Sequence, residues 1–460
     1  MISLEALHMI FVRKCFDKRV VGYATALVVF LLLEGPVGVA LAQGPQNFIV
    51  TFRDGTIPAV RAVSVGNAGA VLRSNYANVN AAAVRVPNQG ALNALRSDPS
   101  VLSIIPDRPV FAFQQAHKKP DNPGGGKGGG GGGGNSKQVT PSGVQRVIGP
   151  NSNFNLDGPG VGVAVLDTGV DTGHSDLAAV DAFNAFDVGA SCADDHGHRT
   201  HVAGIVAALD NDTDVIGVAP AATIYCVKVL DSGASGSDSI IMKGLDWVLT
   251  NHDQVTPNIK VVNMSLGRPG SLDDNPAMRG LIAQLHVDGV AVVVAAGNSP
   301  NLEVKDQVPA TYPEVIAVAS TTAESGVNQC KRVNFVVEAD TASYFTSDGE
   351  YKLLNDELIG VTVSAPGEKL ENINKGCRLT SQGILSTQMG GGTTRKSGTS
   401  MAAPHVAGIV ARLVQPGWLD VESIRNMLRA SSDKSTDAPK DSPTLTYSFG
   451  HEREGVAQAP

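Results

Sequence analysis

Aromatic residues are scarce in this 460-residue chain, at 5%, and positive charge is in deficit. Lys and Arg number 36 against 44 Asp and Glu, a formal net charge of -8. That balance argues against nucleic acid as the main partner and is ordinary for a soluble protein. An excess of polar residues is also lacking: 42% of the chain is hydrophobic and 17% charged, which argues against general disorder. Long hydrophobic runs are absent apart from residues 20–33, and Glu34, Gly35 and Pro36 break that run short of the roughly 20 residues a membrane span needs. Cysteine is limited to five residues.

The single apolar run has its own meaning. Arg13, Lys14, Lys18 and Arg19 precede it, and Ala40-Leu41-Ala42 supplies small residues at cleavage spacing. This is the layout of a secretory signal cut after Ala42, with Met9 an alternative start. The expectation is a secreted protein, extracellular or periplasmic, with no stable membrane anchor once the signal is gone. Cys15 leaves with the signal, so Cys192, Cys226, Cys330 and Cys377 remain for two bridges. Three pairings are possible. Cys192–Cys226 and Cys330–Cys377 are favoured because each pair lies within its own stretch of chain.

Four segments follow along the chain: a signal over 1–42, a small domain over 47–113, a linker over 114–137 and a large domain over 138–460. In the small domain, 48–52, 79–86 and 101–105 read as strands and 91–96 as an amphipathic helix, a small α+β unit. The linker carries a nearly pure Gly tract ending at Gly134, which cannot bury enough surface to fold. In the large domain, 161–166, 223–230, 260–264, 290–295 and 315–319 are short runs rich in Val, Ile and Ala. Strands apolar on both faces belong in a parallel sheet covered by helices. Helical patterns at 239–249, 277–288 and 421–430 give an α/β layered domain.

Reactive groups in such sheets gather at the carboxyl ends of strands. The run 161–166 delivers Asp167, which by itself is either structural or a charge partner for a cation. His198 opens a helix-like run, a place where a packed or capping histidine is common. Ser400 stands among small residues at a helix start, where the hydroxyl is approachable and negative charge is favoured. Asn298 follows the run 290–295, and its amide can donate to an oxyanion.

Together the positions carry a resemblance. Val-Leu-Asp-Thr-Gly-Val-Asp over 165–171, Gly-His-Arg-Thr-His-Val-Ala-Gly over 197–204, Ala-Gly-Asn over 296–298 and Gly-Thr-Ser-Met-Ala-Ala-Pro over 398–404 resemble the subtilisin family, in its Asp, His, Ser chain order. The resemblance implies a three-layer subtilisin-like fold with a mainly parallel central sheet, preceded by a small ferredoxin-like prodomain. It implies a serine endopeptidase acting on proteins or peptides, with Ser400 as nucleophile, His198 as base, Asp167 orienting it, and Asn298 with the Ser400 N–H holding the oxyanion. It further implies a monomeric enzyme made as a zymogen whose prodomain inhibits it.

The same resemblance assigns binding positions. Ser265, Leu266 and Gly267 on one side, and Gly233, Ser235 and Gly236 on the other, would pair with an extended substrate. Ala295, Ala296, Gly297 and Gln307 would line the first pocket, with Gln307 larger than the family's usual residue. Asp238 would sit at the fourth pocket, tolerating basic or polar groups there or standing solvated without contacts. The loop 209–215 matches the family's calcium loop, with ligands from the side chains of Gln138, Asp176 and Asn211 and the carbonyls of Leu209, Thr213 and Val215. The end of the small domain would thread the active site, with Phe113 in the first pocket and self-cleavage after it, or else nearer Gln138.

The pattern breaks at Arg199, where the family has Gly. Such a cation would point to solvent or displace His198, and the second course would leave a non-catalytic binding protein on the same fold. Taking His201 as the base instead would break the spacing to Val202-Ala-Gly. The segments 323–342 and 349–359 are longer than the compact family form and are expected as loops held by Cys330–Cys377.

Overall fold

The computed structural model describes residues 44–113, 138–149, 157–354, 356–414, 420–434, 438–443 and 453–459. The signal and the linker expected from the sequence lie outside the described residues.

The N-terminal unit runs β1 (Gln46–Phe52), α1 (Pro58–Asn67), β2 (Val71–Asn75), β3 (Ala81–Val86), α2 (Gln89–Ser97) and β4 (Val101–Pro106). Its antiparallel sheet has the order β2-β3-β1-β4, the ferredoxin-like βαββαβ arrangement. Pro58 starts α1, where its missing N–H costs nothing, and the Asn88 side chain caps α2 by accepting from the Ala91 N–H at 3.0 Å. Strand alternation splits the sheet into two faces. Phe48, Val50, Phe52, Ala82, Val84 and Val86 pack under the two helices, and Ile49, Ala81 and Ala83 join the core of the large domain. The sequence patterns missed α1 and β2; β2 is half-exposed, and a bulge between Leu72 and Ser74 spoils its alternation.

A short strand, β5 (Pro109–Ala112), leads out of this unit. The large domain then runs α3 (Ser142–Ile148), β6 (Gly162–Asp167), β7 (Ala179–Asn184), α4 (His198–Ala207), β8 (Thr223–Lys228), β9 (Ser235–Ser237), α5 (Asp238–Asn251), β10 (Ile259–Met264), β11 (Leu266–Pro269), α6 (Pro276–Val287), β12 (Ala291–Ala295), β13 (Gln307–Val308) and β14 (Ile316–Thr322). Two hairpin strands, β15 (Lys352–Leu354) and β16 (Glu357–Ile359), precede β17 (Val363–Glu368). After β18 (Leu370–Ile373), β19 (Leu379–Gln382), β20 (Ile384–Thr387) and β21 (Thr393–Lys396) come α7 (Thr399–Val414) and α8 (Val421–Ser431).

The central sheet has the order β17-β14-β12-β10-β6-β8-β7, and its neighbouring strands are parallel. Its strands alternate between two cores. Val163, Val165, Val261, Val293 and Val318 face α4 and α7, while Ala164, Leu166, Val262, Val294 and Ala319 face α5 and α6. Helices therefore cover both faces, which makes three layers. The five strands expected from the apolar runs are β6, β8, β10, β12 and β14. The edge strands β7 and β17 escaped that reading, since β7 is half-exposed and β17 carries Pro366 and Gly367. The bridges are Cys192–Cys226 and Cys330–Cys377, the favoured pairing. The second joins the 323–342 segment to the β18–β19 turn, while 349–359 contains the β15–β16 hairpin. Among the described residues no helix is long and apolar enough to cross a membrane.

Candidate active site

The carboxyl ends of the interior strands β6, β10 and β12 meet the first turns of α4 and α7 at one end of the sheet, and the four residues singled out by the sequence meet there. Asp167, the last residue of β6, accepts from Nδ1 of His198 at 2.8 Å and 2.9 Å through its two oxygens. Both side chains are completely buried. A carboxylate on Nδ1 assigns the proton to that nitrogen and leaves Nε2 as the acceptor. Nε2 of His198 is buried and makes no hydrogen bond. Ser400, at the start of α7, donates its hydroxyl to the Ser265 carbonyl at 2.9 Å.

Asn298 is oriented by α7. Its Oδ1 accepts from the Thr399 N–H and hydroxyl, each at 2.9 Å. That fixes the amide so that Nδ2 turns the other way, buried and without a partner. An unpaired buried donor of this kind is costly unless something with negative charge arrives.

Strand β5 lies in the cleft, central in the sheet β13-β11-β5-β9. Leu266 pairs with Ala112 and Gly267 with Phe111 on one side, and Gly236 pairs with Val110 and Ser235 with Phe111 on the other. Past its end, the Phe113 N–H donates to the Ser265 carbonyl at 3.2 Å, and the Phe113 carbonyl accepts from the Ser400 N–H at 3.4 Å. The Phe113 ring lies against Gly267, where an added Cβ would stand 2.6 Å from two ring carbons, so only glycine leaves room for it. Gln307 is buried against Gly297, with both amide atoms unpartnered. Gly233 stands apart from the ladder: its N–H donates to Asp231 in a turn, and Ala234 supplies the carbonyl that accepts from Ala112 at 3.1 Å.

Two expectations need correction. Asp238 neither faces an open pocket nor stands solvated. It is fully buried and holds Arg268 through two bonds, Nε to Oδ1 at 2.9 Å and Nη2 to Oδ2 at 2.7 Å. Arg199 neither reaches solvent nor displaces His198. Its guanidinium is fully buried, donating to the Tyr225 carbonyl at 2.9 Å and lying 3.4 Å from the Cys226 sulfur and 3.8 Å from that of Cys192. Burial pushes its pKa down to about 9, against the pull of Asp167 and Asp194.

Asp194 is the residue that the sequence reading overlooked. Gly197 precedes α4 in a left-handed conformation and offers no capping side chain. Asp194 does the work instead: Oδ1 accepts from the N–H groups of His196 and Gly197 and from the Thr168 hydroxyl, and Oδ2 from the Thr200 N–H and hydroxyl. Burial opposes the charged carboxylate, but these bonds outweigh it and hold its pKa below the ordinary value. An acidic residue just ahead of a helix start was the available signal.

The residues of the 209–215 loop converge as well. The Gln138 amide lies against the carbonyl oxygens of Leu209 and Val215 and, at 3.4 Å, the Asn211 side-chain oxygen. Thr213 donates both its N–H and its hydroxyl to that same Asn211 oxygen. Asp176 accepts from the Val215 N–H at 3.2 Å with one oxygen, and its other oxygen is buried without a partner. Burial raises its pKa to about 6.

Comparison with known proteins agrees with this geometry. Residues 158–451 match the subtilase family. Subtilisin Savinase of Lederbergia lenta is 35% identical over 295 residues, 64% of this chain and 91% of that protein. Subtilisin E of Bacillus subtilis (strain 168) is 28% identical over 403 residues, covering 84% and 85% of the two chains. The crystal structure of a cold-adapted subtilisin-like serine proteinase superposes with a TM-score of 0.52 at 29% identity, over 71% of this chain and 99% of that one. The chain belongs to the subtilase family and is a subtilisin-like serine endopeptidase.

Proposed function

We propose that Asp167, His198 and Ser400 form the catalytic triad of a secreted zymogen that cleaves itself after Phe113. The observation that carries this reading is the Phe113 carbonyl, which faces the Ser400 N–H from the end of a strand paired on both sides. A residue so placed has its carbonyl where an oxyanion would develop. The resting Ser400 hydroxyl turns from the Ser265 carbonyl to Nε2 of His198 and attacks the scissile carbonyl as its proton passes to that nitrogen. Asp167 stabilises the resulting imidazolium through Nδ1. The Ser400 N–H and the free Nδ2 of Asn298 take the negative charge. His198 then protonates the leaving amine, and water releases the acyl group.

The N-terminal unit acts in this reading as an inhibitory prodomain. Besides β5, it offers Asp107, whose carboxylate accepts from the Ser239 N–H at 2.9 Å and from the Ser237 and Ser239 hydroxyls at the start of α5. Its tip accompanies the same helix, with the Ala77 and Asn78 N–H groups donating to Asp246. Substrates bind as β5 does, between β9 and β11. Two disulfides, together with the basic and apolar start of the chain, support export.

A structural calcium ion fits the residues around Gln138. Rotating the Gln138 amide exchanges its nitrogen for oxygen among the converging acceptors, and the orphaned Asp176 oxygen supplies negative charge. The Gln138, Asp176 and Asn211 side chains and the carbonyls of Leu209, Thr213 and Val215 would hold the ion, which would stabilise the native state by binding it alone.

The test is intact mass of the exported protein beside Ser400→Ala. The reading expects a fragment ending at Phe113 from the natural chain and none from Ser400→Ala. If both chains stay uncut after signal removal, self-processing by this triad is wrong.

A further inference from the structure

We infer that Arg199, with the Cys192–Cys226 disulfide beneath it, is a positioning residue for His198; this rests on the triad reading above. The residue follows the base directly, so whatever holds its side chain also holds the first turn of α4. Its Nη2 donates to the Tyr225 carbonyl on β8, and Nη1 lies against both sulfurs of the bridge. Strand β8 is the parallel neighbour of β6, with Tyr225 opposite Ala164, Cys226 opposite Val165 and Lys228 opposite Asp167. Arg199 therefore ties the backbone bearing the base to the strand alongside the one bearing its carboxylate.

The disulfide completes the brace from the other direction. Cys192 belongs to the segment that lies over Thr168, Gly169 and Val170: the Val170 N–H donates to the Cys192 carbonyl at 3.1 Å, and the Asp194 N–H to the Val170 carbonyl at 3.3 Å. A Cβ on Gly169 would come within 2.3 Å of the Ala193 carbonyl oxygen, so this approach is as close as the backbone permits. Asp194, two residues beyond Cys192, then caps α4. The bridge thus pins β8 to the loop that holds both Asp167's turn and the start of α4, and the Arg199 guanidinium fills the space between them.

A guanidinium in such a place is expensive to bury, and among the described residues no carboxylate pairs with it directly. Among the described residues, Asp167 and Asp194 supply the opposing charge at longer range. Glycine would satisfy the sterics beside a catalytic histidine without that desolvation cost. The cation is matched here to a cross-linked floor, and the two act as one device: the charge is opposed at a distance by the Asp167 and Asp194 carboxylates, and the rigid fork sets the helix at a fixed height above β8. Misplacing a catalytic group by about 1 Å costs about 10²-fold in rate.

The experiment measures kcat and KM for peptide hydrolysis by mature Arg199→Gly, Arg199→Met and Arg199→Lys proteins, with each kcat divided by the sites titrated by a serine-directed phosphonyl fluoride. Positioning predicts kcat per titrated site about 10²-fold lower for Gly and Met, KM within a few-fold of the natural enzyme, and recovery of at least 10-fold by Lys, which restores the charge. A merely structural role would lower the number of titrated sites and leave kcat per site alone. Unchanged kcat per site in Arg199→Gly overturns the inference, and so does Lys behaving as Met does. If none of the three folds, the Cys192→Ala/Cys226→Ala protein decides. It leaves α4 untouched, so kcat per site falls if the brace is real, and equality with the natural enzyme overturns it. A natural enzyme with no titratable serine would sink the triad reading instead.

Discussion

Among single residues, Asn298 illustrates how far chemistry can be read from sequence. Its position after an apolar run suggested a donor, but the direction of its amide is set by Thr399, a residue about a hundred positions away that takes both bonds of Oδ1. Asn298→Ala should lower kcat by about 10²–10³ with KM little changed, in assays on the mature enzyme; that magnitude is the one known for subtilisin, the type case, and is carried over from it. Asp238 and Arg199 taught the opposite lesson. Both are charged, and the sequence reading puts Asp238 at an open pocket or in solvent and Arg199 in solvent or against His198, because charged side chains are seldom fully buried unless paired. Each is instead taken inside by a partner far along the chain: Arg268 for Asp238, and the Tyr225 carbonyl with a disulfide for Arg199. No local pattern announces a partner 26 or 30 residues away.

At the level of elements, the apolar runs identified the buried strands well, since a strand covered on both faces has little choice of side chain. They failed on β2, β7 and β17, where one side is partly exposed or Pro and Gly interrupt the run. The start of α4 was visible in the sequence, but its cap was not. Asp194 reaches it from outside the helix and accepts bonds from two backbone N–H groups ahead of His198 and one just after it. Asp194→Ala should therefore cost about 1–2 kcal/mol of stability in denaturant unfolding and also lower kcat, because His198 sits in the turn it secures. Asp194→Asn should recover part of both. A variant that loses stability with kcat per titrated site intact would limit the cap to a folding role.

For the whole molecule, part of the dependence of stability on pH comes from histidines buried in the core. His405 lies inside α7 with Nδ1 on the Met401 carbonyl at 2.7 Å and Nε2 unpartnered, and burial pushes its pKa down to about 4. His201, whose Nε2 lies 3.0 Å from the Ile384 carbonyl, is likewise held well below the ordinary value by burial. The unfolded chain takes up protons on these rings as pH falls through about 6.5, while the folded chain does not. The histidine contribution to stability is thus intact above pH 6.5 and declines as pH falls toward 4, by about 3 kcal/mol for His405 alone. Buried carboxylates such as Glu368 and Asp348, whose pKa burial raises, contribute with the opposite sign. In the Ser400→Ala background, His405→Gln should change the slope of unfolding free energy against pH across that window by close to one proton, leaving the variant more stable relative to its parent at pH 4 than at pH 7; equal slopes in denaturant unfolding would remove the His405 contribution. The sequence by itself determined the layered α/β class and the family, and it singled out the candidate reacting groups, because packing period and catalytic chemistry restrict which side chains can stand at those positions. Only the tertiary structure decided how those groups are held. The amide direction at Asn298, the cap on α4 and the burial of Arg199 and Asp238 all depend on partners that meet through chain folding, and local sequence carries no record of such distances.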